Sequence, residues 1–156
     1  MTPLKLQESI AEDLAVLFKG KTFEDETGAF VPMNIYKQDY PVPESANSPG
    51  IAPCIIVYLD SWKDEEPDGH QTATVIFSVT CVDFGSENQG HTKPLHILQQ
   101  IYERYFEDPY VGGMFRFNGS WEAHLLNPSD QFGFFGGWAE TQFIIPPMQR
   151  KGGINS

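Results

Sequence analysis

Residues 72–84 read TATVIFSVTCVDF, and the alternation within them decides the fold. Ala73, Val75, Phe77, Val79 and Cys81 point one way, and Thr72, Thr74, Ile76, Ser78 and Thr80 point the other. A period of two is the signature of a strand with one face in the core and one wetter face. Just upstream, residues 54–60 (CIIVYLD) are apolar almost throughout, as in a buried or central strand. The segment between them, residues 60–71, is acidic and carries Pro67-Asp68-Gly69, a turn signature. Two strands and this connector predict an antiparallel hairpin.

Helices flank the hairpin. In residues 3–18, Leu6, Ile10, Leu14, Leu17 and Phe18 recur at three- and four-residue steps, with Glu8, Glu12 and Asp13 opposite. Thr2-Pro3 is a start signal and Gly20 a stop. Residues 93–107 carry a second apolar stripe of Leu95, Leu98, Ile101, Tyr102, Tyr105 and Phe106, with Thr92 as cap and Asp108-Pro109 as terminator. Two short strands are expected next, at residues 114–117 and 121–126, around an Asn118-Gly119 turn. A loop over residues 127–137 and a last strand over residues 138–145 complete the order, before Pro146-Pro147. Strands grouped in runs argue α+β: an antiparallel sheet of about four to five strands with two amphipathic helices on one face. One domain spans residues 1–147. Within it residues 28–53, with Pro41 and Pro43 among their prolines, read as an extended arm or loop that could lie on a neighbouring subunit. Residues 148–156 read as a flexible polar tail.

Composition narrows the function classes. With 21 Asp+Glu against 10 Lys+Arg, the net charge is −11, which argues against binding phosphate backbones through counterion release. No apolar run approaches the roughly 20 residues of a membrane span, and acids inside the first apolar pattern argue against a signal peptide. The acids cluster at Asp60, Asp64, Glu65, Glu66 and Asp68, either a solvated loop or a negative surface that repels nucleic acid or orients a partner. Cys54 and Cys81 lie in apolar strands, where buried free thiols are expected and a cross-strand disulfide stays open.

Motifs of catalysis and ligation are missing from the sequence. There is no H-E-x-x-H, C-x-x-C, P-loop, G-x-G-x-x-G or G-x-S-x-G. The stretch from Asp60 fails the EF-hand pattern, because Trp62, Glu65 and Gln71 fall at its third, sixth and twelfth positions. The expectation is no catalytic, cofactor or metal residues. Phe132, Phe134, Phe135 and Trp138 surround glycines in or beside a loop; packing under that loop, a subunit interface and base stacking are the three readings open to them.

The ordered segments LQESIAEDLAVLF, Ala52-Pro53-Cys54-Ile55-Ile56-Val57, TATVIFSVTCVDF, HTKPLHILQQIYERYF and GGWAETQFIIPP together resemble the tailed-bacteriophage tail terminators and related head–tail completion (minor tail) proteins. The resemblance covers roughly residues 4–147 and rests on element order and size. It implies a subunit that assembles into a ring, commonly a hexamer, capping the tail tube and joining it to the head connector. It implies a place in the virion tail or neck after synthesis in the bacterial host cytoplasm, with neither catalysis nor cofactor, and DNA only as a passenger that does not stick. On that reading Pro41, Pro43 and the aromatic loop make intersubunit contacts and the acidic loop faces the lumen or a partner ring. A small-molecule or peptide binding module, an enzyme using His91 or His124, and a contractile injection apparatus are the alternatives.

Overall fold

The computed structural model describes residues 2–40, 51–65, 69–85, 89–126 and 133–147. It is α+β, with two helices against one six-stranded, mostly antiparallel sheet and a separate two-stranded ribbon. Helix α1 (Pro3–Leu17) begins where the sequence places it. The Thr2 hydroxyl oxygen accepts from the Lys5 amide at 3.1 Å, and Pro3 sits where no amide partner is needed. Its apolar stripe buries Leu6, Ile10 and Leu14 completely. Strands β1 (Thr22–Glu24) and β2 (Phe30–Pro32) form the ribbon, and the Asp25 carboxylate holds its turn by accepting from Thr27 and Ala29 amides.

The main sheet runs in the order β3 (Asn34–Lys37), β4 (Cys54–Asp64), β5 (Gln71–Val82), β8 (Phe134–Ile145), β7 (Phe115–Leu125), β6 (Tyr110–Val111). β4 and β5 are the antiparallel hairpin the alternation predicts, and Ala73, Val75, Phe77, Val79 and Cys81 are all buried. β3 pairs with β4 in parallel, which the long connection over residues 38–53 makes possible.

Among the described residues the sheet has six strands, close to the four to five expected. Two expectations are corrected. The two short strands around Asn118-Gly119 are one strand, β7, with an irregularity between Phe117 and Trp121 and Gly119 at φ +92°. The long β8 supplies a partner for both halves, so the glycine makes a bulge instead of a turn. β8 also begins at Phe134, so Phe134 and Phe135 are strand residues rather than loop residues. The tight turn lies earlier, at Gly112-Gly113 between β6 and β7, with φ of +62° and +78°. At Gly112 a Cβ would also stand 2.6 Å from the Ser9 hydroxyl of α1, so the position demands glycine twice over.

α2 (Thr92–Glu107) covers β5, β8 and β7 on the face where α1 covers β3 and β4. Its start departs from expectation: His91 precedes the first turn, and Thr92 donates to the Gln89 carbonyl instead of capping. α1 also reaches β6 at the far border, because strand twist bends that diagonal pair of corners toward the helices. The core centres on Tyr105, whose ring stands 5.3 Å from Phe143, 6.1 Å from Phe77 and 6.2 Å from Phe117.

Cys54 and Cys81 are buried and free. They lie on opposite faces of the sheet, since Cys54 stands opposite Thr80 and Cys81 opposite Phe135. Burial pushes their thiols up to about 11 and about 12. At pH 8 both stay protonated and unreactive, so a thiol reagent will label neither in the native chain and both in denaturant. Their contribution to stability is complete below the unfolded thiol value of 9.0 and is lost as pH rises through about 11 and about 12.

Candidate functional site: an acidic hairpin and an apolar ridge

The acidic segment is a projecting strand end more than a loop. β4 continues to Asp64, so Asp60 and Asp64 are strand residues, and Asp60 is the extra residue of a bulge between Leu59 and Ser61. From Asp60 to Glu65 every side chain is exposed, including Trp62 at 53%. The Gln71 amide group donates to Asp64 at 3.0 Å, and the Glu65 amide to the His70 carbonyl at 3.1 Å. Lys63 is the one cation in residues 60–65, against Asp60, Asp64 and Glu65, so the arm presents negative charge to solvent. Glu66 and Asp68 lie outside the described residues.

α2 supplies a second surface. Its sequence stripe is too wide for one face. Leu98, Ile101 and Tyr105 turn into the core with Ile97, whereas Leu95 and Phe106 stay 47% and 69% exposed. Leu95, Tyr102 and Phe106 fall at i, i+7 and i+11 and share a helix face. Tyr102 stacks on Phe106 at 5.8 Å and leans on Trp121 of β7 at 5.2 Å. Leu125, exposed on the helix face of β7, extends this ridge along the sheet. The excess width of the stripe is the signal that locates it.

The sequence-nominated aromatics do not converge. Phe134 packs edge-on against Phe84 at 6.3 Å. The Phe135 ring lies against Gly90, where a Cβ would stand 2.2 Å from it. Both therefore take part in the chain's own packing, half-buried. Trp138 lies on the sheet face without helices, stacked on His124 at 4.6 Å, and His124 meets Glu122 at 2.7 Å. That face also carries Tyr58, Ile76, Glu140 and Ile144, half-buried or exposed. Phe132, Pro41 and Pro43 lie outside the described residues.

A groove of about 250 Å³ separates the β1–β2 ribbon from α2, lined by Phe23, Phe30, Pro53, Lys93, His96 and Ile97 among others. Lys93 is held across it: its ammonium donates to the Val82 carbonyl at 2.8 Å and stands 3.8 Å from Asp83 and 3.9 Å from Glu24. Among the described residues no group of three or more His, Cys, Asp or Glu is placed to hold a metal ion, and no helix is long and apolar enough to cross a membrane.

Compared with known proteins, the chain matches no family model and no curated sequence.

Proposed function

We propose that the chain is a structural assembly subunit of a tailed phage or prophage: a tail terminator that forms a ring, caps the tail tube and joins it to the head connector. The observation that carries this reading is the apolar ridge of Leu95, Tyr102, Phe106, Trp121 and Leu125. Large aromatic and aliphatic side chains contiguous on the surface of so acidic a chain are what a protein partner covers. The order of elements, with a helix, a hairpin, a second helix and closing strands, is the one on which the resemblance rests. A net charge of −11 per copy makes a ring of six strongly acidic. The arm bearing Asp60, Asp64 and Glu65 then suits a lumen or partner-facing rim, because a surface with one lysine among three acids cannot displace the cations condensed on passing DNA.

The test mixes the purified chain with tail tubes assembled from the tube protein of the same genome. Negative-stain images are expected to show rings seated on tube ends. Bare tube ends, with a monomer in light scattering at high concentration, would contradict the reading. The groove beside Lys93 and His96 favours a second reading, a binding module for a small molecule or peptide, and a thermal upshift with such a ligand and no self-association would select it.

A further inference from the structure

The two lateral borders of the sheet are shaped to each other, one strand deep. At one border β3 covers β4 only from Cys54 to Val57. The Gln38 side chain then takes over for one residue, accepting from the Leu59 amide and donating to the Leu59 carbonyl, both at 3.0 Å. From Asp60 to Asp64 nothing among the described residues pairs with the outer edge of β4. At the other border β6 and the preceding Pro109 carbonyl cover only Phe115 to Phe117, and the outer edge of β7 over residues 118–125 is open among the described residues. Long open edges invite another strand.

Register across the sheet gives the heights of these steps. Ile55 stands level with Val79, Gly137 and Leu125, and Val57 with Phe77, Ala139 and Ala123. β3 therefore lies level with the open stretch of β7. Lys63 stands level with Thr72, Ile144, Arg116 and Tyr110, so β6 lies level with the open stretch of β4. Each border is a step, and each step fills the other's notch.

We infer that copies of this chain join border to border, β3 of one copy adding to β7 of the next while β6 of that copy fills the notch outside β4. This rests on the assembly reading above and specifies its interface. Strand direction agrees. β3 runs with β4, against β5, with β8 and against β7. A neighbour related by rotation, with its helices on the same side, therefore presents β7 antiparallel to β3.

Hydrogen-bond phase agrees as well. Asn34 and Gln38 donate their amides inward to Pro53 and Val57, so Ile35 and Lys37 aim their backbone groups outward. Leu126 donates inward to Gly136, so Ala123 and Leu125 aim outward by the same alternation. The level pairs Ile35–Leu125 and Lys37–Ala123 are then both in phase to exchange N–H···O bonds.

Side chains follow. Ile35 and Leu125 meet on the helix face, covering part of the exposed ridge. Tyr36 and His124 meet on the other face. At the lower step Tyr110, half-exposed, comes level with Lys63 on the same face. One border meets the other rather than itself, so the contact is heterologous, and repetition builds a ring when the rotation between copies divides a full turn.

The experiment compares three full-length chains by sedimentation velocity and non-reducing gels. Ala123→Pro removes an outward amide and leaves the β7–β8 ladder intact. It is expected to raise the self-association constant for dissociation by at least about tenfold, with an unchanged far-ultraviolet dichroism spectrum. The double variant Ile35→Cys with Leu125→Cys is expected to oxidise into a ladder of linked copies, because the two positions lie on opposite borders of one chain. Assembly of Ala123→Pro equal to wild type, or an unlinked double variant in a preparation that does assemble, overturns the border contact while leaving the assembly reading standing. A wild-type chain that stays monomeric at high concentration overturns both.

Discussion

Replacing Tyr105 by alanine will destabilise the fold by about 3–5 kcal/mol, the range for removing a large aromatic from a packed core. The midpoint of thermal unfolding should fall by roughly 10 °C or more. Tyr105 is fully buried and is the ring through which α2 meets the sheet, touching Phe77 of β5, Phe117 of β7 and Phe143 of β8. A cavity there opens toward three strands, and none of its lining rings is free to collapse into it. Its hydroxyl is a separate matter. Burial first, and the Asp13 carboxylate second, hold that phenol well above its usual range. Neither the hydroxyl nor Asp13 Oδ2 has an aligned partner among the described residues. Tyr105→Phe should therefore change stability by less than about 1 kcal/mol, which separates the ring from the hydroxyl in a single calorimetric comparison.

Arg104→Ala should cost about 2–3 kcal/mol, below the full figure for a buried pair because both side chains keep about one-fifth of their exposure. The guanidinium donates to Asp13 of α1 at 2.9 Å, to the Tyr110 carbonyl at the start of β6 at 3.1 Å and to the Asp108 carbonyl, and it lies over the Tyr105 ring at 4.9 Å. One planar group thus ties both helices to the far border of the sheet. Lysine offers a point charge in place of that fork, so Arg104→Lys should recover less than half of the loss in a urea titration. The same experiment bears on the proposed border contact, because Arg104 sets where β6 sits, and β6 is the strand proposed to fill a neighbour's notch.

Much of the architecture was legible in local patterns. The alternation over Thr72 to Cys81 fixed which side of β5 is buried, and the three- and four-residue steps of Leu6, Ile10 and Leu14 fixed the inner face of α1. What escaped depended on partners distant in sequence. Asn118-Gly119 carries a strong turn signal, yet a bulge resulted because β8 is long enough to pair on both sides of it. The parallel seating of β3 on β4 depends on where a long connection returns, which no local pattern encodes. Phe134 and Phe135 looked like loop residues because glycines surround them, but pairing with Val82 and Cys81 draws them into β8.

For the candidate site, the acids at Asp60, Asp64 and Glu65 were visible as a cluster, while their projection on a bulged strand was not. The ridge on α2 was in plain sight as an apolar stripe. Which half faces outward was not, because a helix lying on a sheet can bury only part of its circumference, and Leu95, Tyr102 and Phe106 fall outside that arc.

The central claim is that this chain exists to contact copies of itself, and native mass spectrometry of the wild-type protein tests it most directly. The account predicts one dominant closed species at a fixed small multiple of the subunit mass, unchanged over a wide range of concentration. A spectrum of single subunits throughout that range would contradict it.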